Sequence, residues 1–305
     1  MEIIRDIFSY QASASMAVAI GKFDGIHEGH QEIIKRVLNK KEEGLLSCVV
    51  TFDRPLTQDH TGILSQEEKR ANLEKLGVDF LVKLPANKEM FRMEAKDFVN
   101  EILLKRLHTK YLCAGRDFRF GKDRKGDISF LQDFARNNHF QVEVLEKLQY
   151  KEEDISSSRI RSLLTVGKME EITLLLGRPY EVTAEVIHGK ELGRTIGIPT
   201  INQRVLEGKI LPAHGAYASR IHVDNQSYPG VTNVGIRPSI EDGEALSIET
   251  HIIGYRGDLY GREVKVEFLK FLRPEKKFPS LEELIKQIHE DIEQSKEIYS
   301  SSRSL

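Results

Sequence analysis

Residues 1 to 178 alternate short apolar runs with stretches in which apolar residues recur at the helical period. The apolar runs are rich in Val, Ile, Leu and Phe and are typical of buried strands: "SMAVAIGKF", "LLSCVVTF", "VDFLVKL", "KYLCAG" and "FQVEVLEKL". Regular alternation of strands and helices predicts a parallel sheet that is covered by helices on both faces. In such sheets ligands bind beyond the carboxyl ends of the strands, so the turns that follow the strands are the first places to look for chemistry.

Two of the intervening stretches predict helices. In "SQEEKRANLEKLG", Ser65 and Glu68 have the spacing of a capping box, and Gly77 stands where the helix would stop. In "MEAKDFVNEILLKRL", Phe98, Ile102 and the leucines that follow share one face at a period near 3.6.

The pattern changes near residue 180, where short runs alternate apolar and polar residues and are separated by Gly, Asn, Asp and Pro. Runs such as "YEVTAEVIHG", "GAYASRIHV" and "EVKVEFLKFL" predict an antiparallel barrel or sandwich. The last helix has a second capping-box spacing at Ser280 and Glu283, and its predicted apolar face is Leu281, Leu284, Ile285, Ile288 and Ile292. The sequence thus predicts two domains, 1–178 and 179–305.

Composition narrows the class of protein. The chain of 305 residues has 40% hydrophobic and 30% charged residues, which is typical of a globular protein, and its formal net charge of −2 argues against a non-specific nucleic-acid binder. No apolar window is long enough for a membrane span, and the first residues, "MEIIRDIFSYQ", do not have the pattern of a signal peptide. Cys48 and Cys113 lie in strand-like runs and are expected to be buried thiols, so a cytoplasmic protein is the expectation.

The turn after the first long apolar run carries the pattern G-x-F-D-G-x-H-x-G-H. Its patterned residues are Gly21, Phe23, Asp24, Gly25, His27, Gly29 and His30. They are compatible with a tight turn that has incidental polar residues. They fit a zinc site less well, because two histidines alone are too few ligands for zinc. A phosphate site accounts for more of them: imidazole donates to phosphate, a nearby anion favours its charged form, and the helix start adds partial positive charge. Adenylyl transfer from ATP would need this kind of positioning and electrostatics.

Two later loops are candidates for the same site. In "DISSSRIRSLL", Ser157 and Arg161 form either a helix cap with a solvated basic face or a loop that closes over a triphosphate. In "GRDFRFGKDRKGD", Asp117 stands beside two aromatic residues, Phe118 and Phe120, in a loop suited to a planar ring with a polar tail.

A second group of candidates lies after residue 187. The stretch "HGKELGRTIGIPTINQ" places Gly189, Gly193 and Gly197 four apart, a spacing that also occurs in ordinary barrel turns. On a strand, Thr200 and Asn202 would point to one face and could serve Mg²⁺ that nucleotide phosphates already hold. Glu249 lies in an otherwise apolar strand, which suggests a buried base that orients a hydroxyl for attack on the γ-phosphoryl group of ATP. The Walker sequence G-x-x-x-x-G-K-[ST] does not occur.

Taken together, these motifs resemble those of the bacterial bifunctional riboflavin kinase/FMN adenylyltransferase (FAD synthetase) family. The matching stretches, in order, are "GKFDGIHEGH", "GRDFRFGKDRKGD", "ISSSRIR", "GKELGRTIGIPTIN", "NVGIRPS", "DLYGREVKVEFLKFLR" and "KFPSLEELIKQIHEDIEQ". The resemblance implies a Rossmann-like nucleotidylyltransferase domain with a parallel sheet, then a six-stranded antiparallel riboflavin kinase barrel with a terminal helix. It implies Mg²⁺ and ATP as cofactor and co-substrate, with riboflavin, FMN, FAD, ADP and pyrophosphate as the other ligands, and no nucleic-acid or membrane partner.

By matched position, the resemblance also implies roles for individual residues. His27, His30 and Arg161 are the expected catalytic residues of the first domain and Glu249 is the expected base of the second. Thr200 and Asn202 are the expected metal ligands. The expected nucleotide- and flavin-binding residues are Gly21, Phe23, Asp24, Gly29, Asp117, Ser157, Gly189, Gly193 and Arg194.

Three stretches depart from the family pattern. "TFDRPL" at 51–56 replaces T-F-x-P-H-P, Ile201 replaces an alanine, and Gly254-Tyr255 replaces Asp-Phe. Ile201 is expected on the strand face opposite to Thr200 and Asn202. The departures leave two alternatives open: a riboflavin kinase with an impaired adenylyltransferase half, and a flavin-binding regulator without turnover.

Overall fold

The apolar runs of the first half form a six-stranded parallel sheet in the computed structural model, which describes residues 1–53, 61–189, 193, 196–206, 208–239 and 243–302. The strand order is β1-β4-β3-β2-β5-β6. The strands are β1 (Glu2–Ile4), β2 (Met16–Ile20), β3 (Leu46–Asp53), β4 (Phe80–Pro85), β5 (Thr109–Gly115) and β6 (Gln141–Leu145). Because β3 and β5 flank β2, the strand order reverses at the carboxyl end of β2, where open α/β sheets bind their ligands.

Both faces of this sheet are buried, as predicted. Alternate residues of each central strand enter two separate apolar clusters, so that Val18 and Cys48 lie in one cluster and Ala19 and Cys113 in the other. Both cysteines are free and buried, and burial raises the pKa of the Cys113 thiol to about 12. The two thiols therefore face opposite sides of the sheet.

Helices connect the strands and cover the faces. They are α1 (Glu28–Asn39), α2 (Gln66–Lys75), α3 (Lys88–Arg92), α4 (Ala95–Asp97) and α5 (Ile128–Asn138), with short 3₁₀ turns at Lys40–Glu43 and Lys122–Arg124. The predicted capping box of α2 is present, because the Ser65 hydroxyl accepts from the Glu68 amide and the Glu68 carboxylate accepts from the Ser65 amide.

The helix predicted around Phe98 has a different hydrogen-bond pattern. After α4 the chain continues as a π-helix, Phe98–Arg106, and the amide of Leu107 donates to the carbonyl of Ile102 five residues before it. The wider turn buries Phe98, Val99, Ile102 and Leu103 together. The prediction of a helix with period 3.6 is therefore wrong in hydrogen-bond register, although the helix exists.

The second half forms a closed six-stranded antiparallel barrel in the order β10-β13-β12-β11-β14-β9. Its strands are β9 (Tyr180–Ile187), β10 (Ile201–Gln203), β11 (Gly215–Val223), β12 (Gln226–Ser239), β13 (Gly243–Ile252) and β14 (Glu263–Pro274), preceded by a hairpin of β7 (Gln149–Tyr150) and β8 (Glu153–Asp154). Val182, Ala184 and Val186 of β9 face the barrel interior, as their alternation predicts. The predicted fold class, a parallel sheet followed by this barrel and a terminal helix, is confirmed.

The chain divides into two compact units, Met1–Ser157 and Ser158–Leu305. Helix α6 (Ser157–Leu164) starts at this division, and α7 (Met169–Leu176) packs on β9 and β14 of the barrel. The division of function at residue 178 stays a prediction. None of the helices in the described ranges has the length and apolar composition needed to cross a membrane.

The terminal helix α8 (Leu281–Ser301) packs on β11 and β12 with a face that partly matches the predicted one, since Ile292 is buried and Leu284, Ile285 and Ile288 are half-buried. Leu281 is 54% exposed, and the buried residues of the helix are Ile292 and three polar residues, Asp291, Ser295 and Tyr299. These polar groups have partners: Asp291 pairs with Arg273, the Ser295 hydroxyl donates to the Gly230 carbonyl, and the Tyr299 hydroxyl bonds to Ser227. Hydrogen bonds to the barrel, and not only apolar contacts, therefore set the helix face.

The outer surface of β11 and β14 carries a buried carboxylate, Glu267, which three basic side chains surround. Arg220, His222 and Lys265 place nitrogen atoms 2.9 to 3.0 Å from its two oxygens. Burial alone would raise the pKa of Glu267, but the contacts with His222 and Lys265 outweigh burial and lower it from 4.5 to about 2. The folded barrel thus favours the ionised carboxylate.

We expect this carboxylate to make the barrel sensitive to acid. Because its folded pKa lies below 4.5, its contribution is present above pH 4.5 and is lost as the pH falls towards 2, up to about 3 kcal/mol. Glu267→Gln should be less stable than the parent at pH 7 and should lose less stability on acidification. Hydrogen exchange of β11 and β14 amides measures this, with Glu263→Gln on the exposed part of β14 as the control. Equal pH dependence in both variants would contradict the assignment.

Candidate functional sites

The turn between β2 and α1 has a backbone conformation that few residues tolerate. Phe23 and Ile26 have φ values of 47° and 43°, in the left-handed region, and both side chains are fully buried. A left-handed conformation is costly for any residue with a Cβ and more so for a β-branched one. Packing of the two buried side chains therefore holds the turn in a shape that its backbone alone would not adopt.

Hydrogen bonds from four residues outside the turn fix its shape. The Asp24 carboxylate accepts from the amide of Ile63 at 2.9 Å, and its carbonyl oxygen accepts from the hydroxyl of Ser157 at 2.9 Å. The Thr51 hydroxyl and the Lys69 ammonium both donate to the carbonyl oxygen of Lys22, at 3.1 Å each. Ser157, 133 residues distant from Asp24 in sequence, is thereby brought to the predicted phosphate site.

The two histidines lie together at the start of α1. His27 is the N-cap residue, and its ring stacks on that of His30 with centroids 3.6 Å apart and an angle of 21° between planes. A Cβ at Gly29 would lie 3.3 Å from the His27 ring, so a larger residue would press on the stack. Gly21 precedes the turn, and its amide donates to the carbonyl of Val50 at 3.1 Å.

The charge state of His30 follows from its surroundings. Burial, then the neighbouring His27 and Lys69, lower the pKa of His30 well below 6.5. Its Nδ1 is buried and has no hydrogen-bond partner among the described residues. At neutral pH the protein's own groups thus keep this imidazole neutral, and a bound phosphate would act in the opposite direction. The sequence prediction of a charged imidazole therefore depends on the ligand.

Sequence reasoning missed two buried lysines beside this turn. Lys69 on α2 is 8% exposed and Lys83 on β4 is 6% exposed. Lys83 has partners, since its Nζ lies 3.3 Å from Asp53 and 3.1 Å from the Gln66 oxygen. The charged residues next to Lys69 in "QEEKR" suggest a solvated helix, so only the tertiary structure reveals that Lys69 is buried.

Asp117 lies two residues after β5, the neighbour of β2, and so at the same edge of the sheet as the turn. Its side chain is 73% exposed and lies 3.6 Å from Lys147, whose pKa it raises. The two aromatic residues of its loop differ: Phe120 is buried in the core, and only Phe118, stacked on it with centroids 5.5 Å apart, is partly accessible. Of the two aromatic residues in the loop predicted to suit a planar ring, Phe120 therefore belongs to the core and only Phe118 is accessible.

Arg161 lies on α6 in the second unit and is half-buried. Arg159 on the same helix pairs with Glu171 of α7 at 2.7 Å. Arg161 therefore stays a predicted site residue.

In the barrel, the register of three strands assembles the second group of candidates. Asn202 of β10 is the cross-strand partner of Glu249 in β13, and Glu249 is in turn the partner of Asn233 in β12. Their neighbours Gln203, Ile248 and Val234 are buried inside the barrel, so this row lies on the outer face.

Thr200 precedes Asn202 by two residues and belongs to the same face, whereas Ile201 is paired with the buried Thr250 on the opposite face, as predicted. Glu249 is only half-buried there, so the prediction of a buried acid is wrong in degree.

The glycine-rich loop before β10 approaches this row closely. A Cβ on Gly189 would lie 2.6 Å from Cγ of Asn202, a side chain that is 5% exposed. Gly193 accepts from the amide of Ile198 at 2.8 Å, and a Cβ on it would collide with the Ile198 carbonyl. Arg194 and residues 54–56 of "TFDRPL" lie outside the described residues.

One member of this row, Asn233, was not predicted as a site residue. Asn233 donates to the carboxylate of Glu275 at 3.3 Å, and the carboxylate occupies the space beside Gly235. The quoted motif "NVGIRPS" contains Asn233, but only the strand register shows that it stands beside Glu249.

Comparison with known proteins gives matches for both units. The family model described as FAD synthetase matches residues 9–159, and the one described as riboflavin kinase matches residues 176–299. Bifunctional riboflavin kinase/FMN adenylyltransferase of Pseudomonas fluorescens is 35% identical over 301 residues, which cover 96% of each chain. The enzyme of the same name from Listeria monocytogenes is 35% identical over 90% of this chain and 89% of its own.

A crystal structure of a protein named macrolide-efflux protein, from Streptococcus pneumoniae, superposes with a TM-score of 0.87 at 29% identity. The match covers 97% of this chain and 99% of the other. The two-unit architecture is thus shared over nearly the whole length of both chains.

Proposed function

This chain belongs to the bifunctional riboflavin kinase/FMN adenylyltransferase family, and from that membership we propose that it carries out two successive reactions. The barrel transfers the γ-phosphoryl group of ATP to riboflavin, which gives FMN and ADP. The N-terminal unit transfers the AMP group of a second ATP to FMN, which gives FAD and pyrophosphate. The observation that carries this proposal is the match of one chain to both family models, with one model in each half.

In the kinase reaction we assign Glu249 as the base. Its carboxylate takes the proton of the terminal ribityl hydroxyl as the oxygen attacks phosphorus, and its half-exposed position on the outer face leaves it reachable by substrate. Thr200 and Asn202 offer neutral oxygen donors on the same face, which suits Mg²⁺ that phosphates also hold. The ion supplies charge neutralisation on the phosphates when it is bound. Gly189, Gly193 and Arg194 are the proposed nucleotide-binding loop.

In the adenylyl transfer the protein supplies position and charge. His27 and His30 are proposed to donate hydrogen bonds to the triphosphate, and Gly21, Phe23, Asp24 and Gly29 to shape the turn that receives it. The twelve-residue helix α1 begins there, so its amides and partial positive charge favour an anion. Asp117 and Ser157 are proposed to contact the nucleotide or flavin, and Arg161 to stabilise charge on the phosphates.

We further propose the cytoplasm as the site of action, which two free buried thiols and an ATP-dependent pathway from vitamin to cofactor support. The proposed functional domains are 1–178 for adenylyl transfer and 179–305 for the kinase.

A product assay tests the function directly. The purified chain is incubated with riboflavin, ATP and Mg²⁺, and riboflavin, FMN and FAD are separated by chromatography over time. FMN that appears before FAD supports both activities. FMN alone would leave a riboflavin kinase, and neither product would leave a flavin-binding regulator. A parallel reaction with FMN in place of riboflavin measures the second step alone.

Gly189→Ala is expected to lower kinase activity about tenfold or more, because a methyl group would displace Asn202 from its buried position. FAD formation from supplied FMN should be unchanged. If the effect acts through Asn202, adding Gly189→Ala to Asn202→Ala should cause little further loss. Independent, additive losses of kinase rate in the double variant would contradict that route.

A further inference from the structure

Lys69 is a buried ammonium group with few polar contacts among the described residues. Its Nζ makes one hydrogen bond, to the Lys22 carbonyl at 3.1 Å, and the described residues include no carboxylate within ion-pair distance of it. Burial of an ammonium group that has no direct ion pair, and only more distant carboxylates such as Asp24, is unfavourable unless the group has a further purpose. Lys83, the other buried lysine, differs because Asp53 and Gln66 satisfy it.

The contacts of Lys69 show that it borders the turn between β2 and α1, which carries His27 and His30. Lys22, which it contacts, lies between Gly21 and Phe23. Burial lowers the pKa of Lys69, Asp24 and Asp53 act to raise it, and Lys83 acts to lower it further. Lys69 in turn contributes to the lowered pKa of His30. The ammonium is thus electrostatically coupled to both the turn and the imidazole pair.

We propose that the Lys69 ammonium binds the phosphate oxygens of ATP during FMN adenylylation and remains with the pyrophosphate as it leaves. This inference rests on the proposed function of the first unit. The substrates of that step bring several negative charges, and the neutral His30 imidazole provides a hydrogen bond but no net charge. Lysine acts on phosphate as a point charge, and a phosphate would provide the direct ion pair that Lys69 lacks among the described residues.

A purely structural role makes a different prediction. Lys69 shares the Lys22 carbonyl with the Thr51 hydroxyl, each at 3.1 Å. If Lys69 only holds the turn, then loss of either donor should have a similar effect. Thr51→Val is therefore the matched variant, since it removes one of the two hydrogen bonds and leaves every charge in place. Lys75→Met, on the exposed part of the same helix, controls for the general loss of a positive charge.

The experiment measures the reverse reaction, FAD and pyrophosphate to FMN and ATP, because the kinase reaction does not use pyrophosphate. Lys69→Met should raise the KM for pyrophosphate, and the KM for ATP in the forward reaction, by about tenfold or more, and weaken their dependence on ionic strength. Thr51→Val and Lys75→Met should remain within about twofold of the parent. The KM of the riboflavin kinase activity for ATP should not change in any variant. This activity also shows that each purified variant is folded.

Lys69→Gln separates charge from hydrogen bonding, because the amide still offers a donor towards the Lys22 carbonyl. It should show the same rise in KM with a melting temperature near that of the parent. NMR titration of the histidines gives an independent signature: Lys69→Met and Lys69→Gln should raise the pKa of His30 towards its ordinary value, whereas Thr51→Val should not.

The outcomes distinguish the inference from the function on which it rests. If the parent chain forms FAD but Lys69→Gln keeps the parental KM for pyrophosphate, the ammonium does not bind phosphate and the inference is wrong. If Thr51→Val reproduces the defect of Lys69→Met, the role is to hold the turn, and the inference is again overturned. If the parent chain forms no FAD from FMN and ATP, the proposed function of the first unit is itself wrong.

Discussion

Glu249→Gln is expected to stop FMN formation from riboflavin and ATP while FAD formation from supplied FMN continues at the parental rate. Glutamine has nearly the shape of glutamate and keeps the strand register opposite Asn202, but it cannot take up the proton of the attacking hydroxyl. Loss of a general base lowers a rate by about 10²- to 10⁴-fold, so the kinase step should fall by that order. Chromatography of the three flavins measures both steps in one sample.

Glu185→Gln is the matched control for this variant. Glu185 is also half-buried on the outer face of the barrel, on β9, but its carboxylate pairs with Arg204 at 3.3 Å. It should leave FMN formation close to normal. FMN production by Glu249→Gln near the parental rate would show that the base lies elsewhere.

His30→Ala should have the opposite selectivity: FMN accumulates and FAD formation falls by about 10²- to 10³-fold, the cost of losing one preorganised donor to a charged transition state. The effect should include loss of position as well as of the donor, because His30 stacks on His27 and packs edge-on against Phe23 with centroids 5.3 Å apart. The measurement is FAD formed from supplied FMN, with riboflavin phosphorylation in the same preparation as the reference.

His139→Asn controls for loss of an imidazole from the same unit. His139 ends α5 with φ 56°, a conformation that asparagine also adopts, and it lies outside the β2–α1 turn. It should retain normal FAD formation. An undiminished FAD output from His30→Ala would remove His30 from the site.

Local signals in the sequence predicted much of the fold. The capping box at Ser65 and Glu68 and the cap at Ser280 are interactions between residues three apart, so the sequence is sufficient to locate the starts of α2 and α8. Alternation in "YEVTAEVIHG" likewise predicted which face of β9 is buried. The π-helical register of Phe98–Arg106 was not predictable in this way, because apolar spacing does not specify whether an amide bonds four or five residues back.

The site residues, like the fold, divide into those that local sequence signals predict and those that depend on distant contacts. The pairs His27/His30 and Thr200/Asn202 each lie within a short motif. The sequence alone therefore shows that the two members of each pair are close together. Lys69 and Asn233 were missed because their place in the site depends on contacts with distant segments. Lys69 donates to the carbonyl of Lys22, 47 residues away in sequence, and Asn233 lies beside Glu249 through strand pairing. Glu249 was located correctly in a strand, but its exposure depends on which barrel face it occupies.

The left-handed backbone at Phe23 and Ile26 links the activity of the first unit to its robustness. Conformations of this kind cost about 1–3 kcal/mol each, and here they occur at the turn that presents His27 and His30. Glycine at either position would relax the chain but would also remove a large side chain that fills the core. Substitutions that raise thermal stability are therefore expected outside this turn. Within it, relief of the backbone strain would also change the shape on which the proposed phosphate site depends.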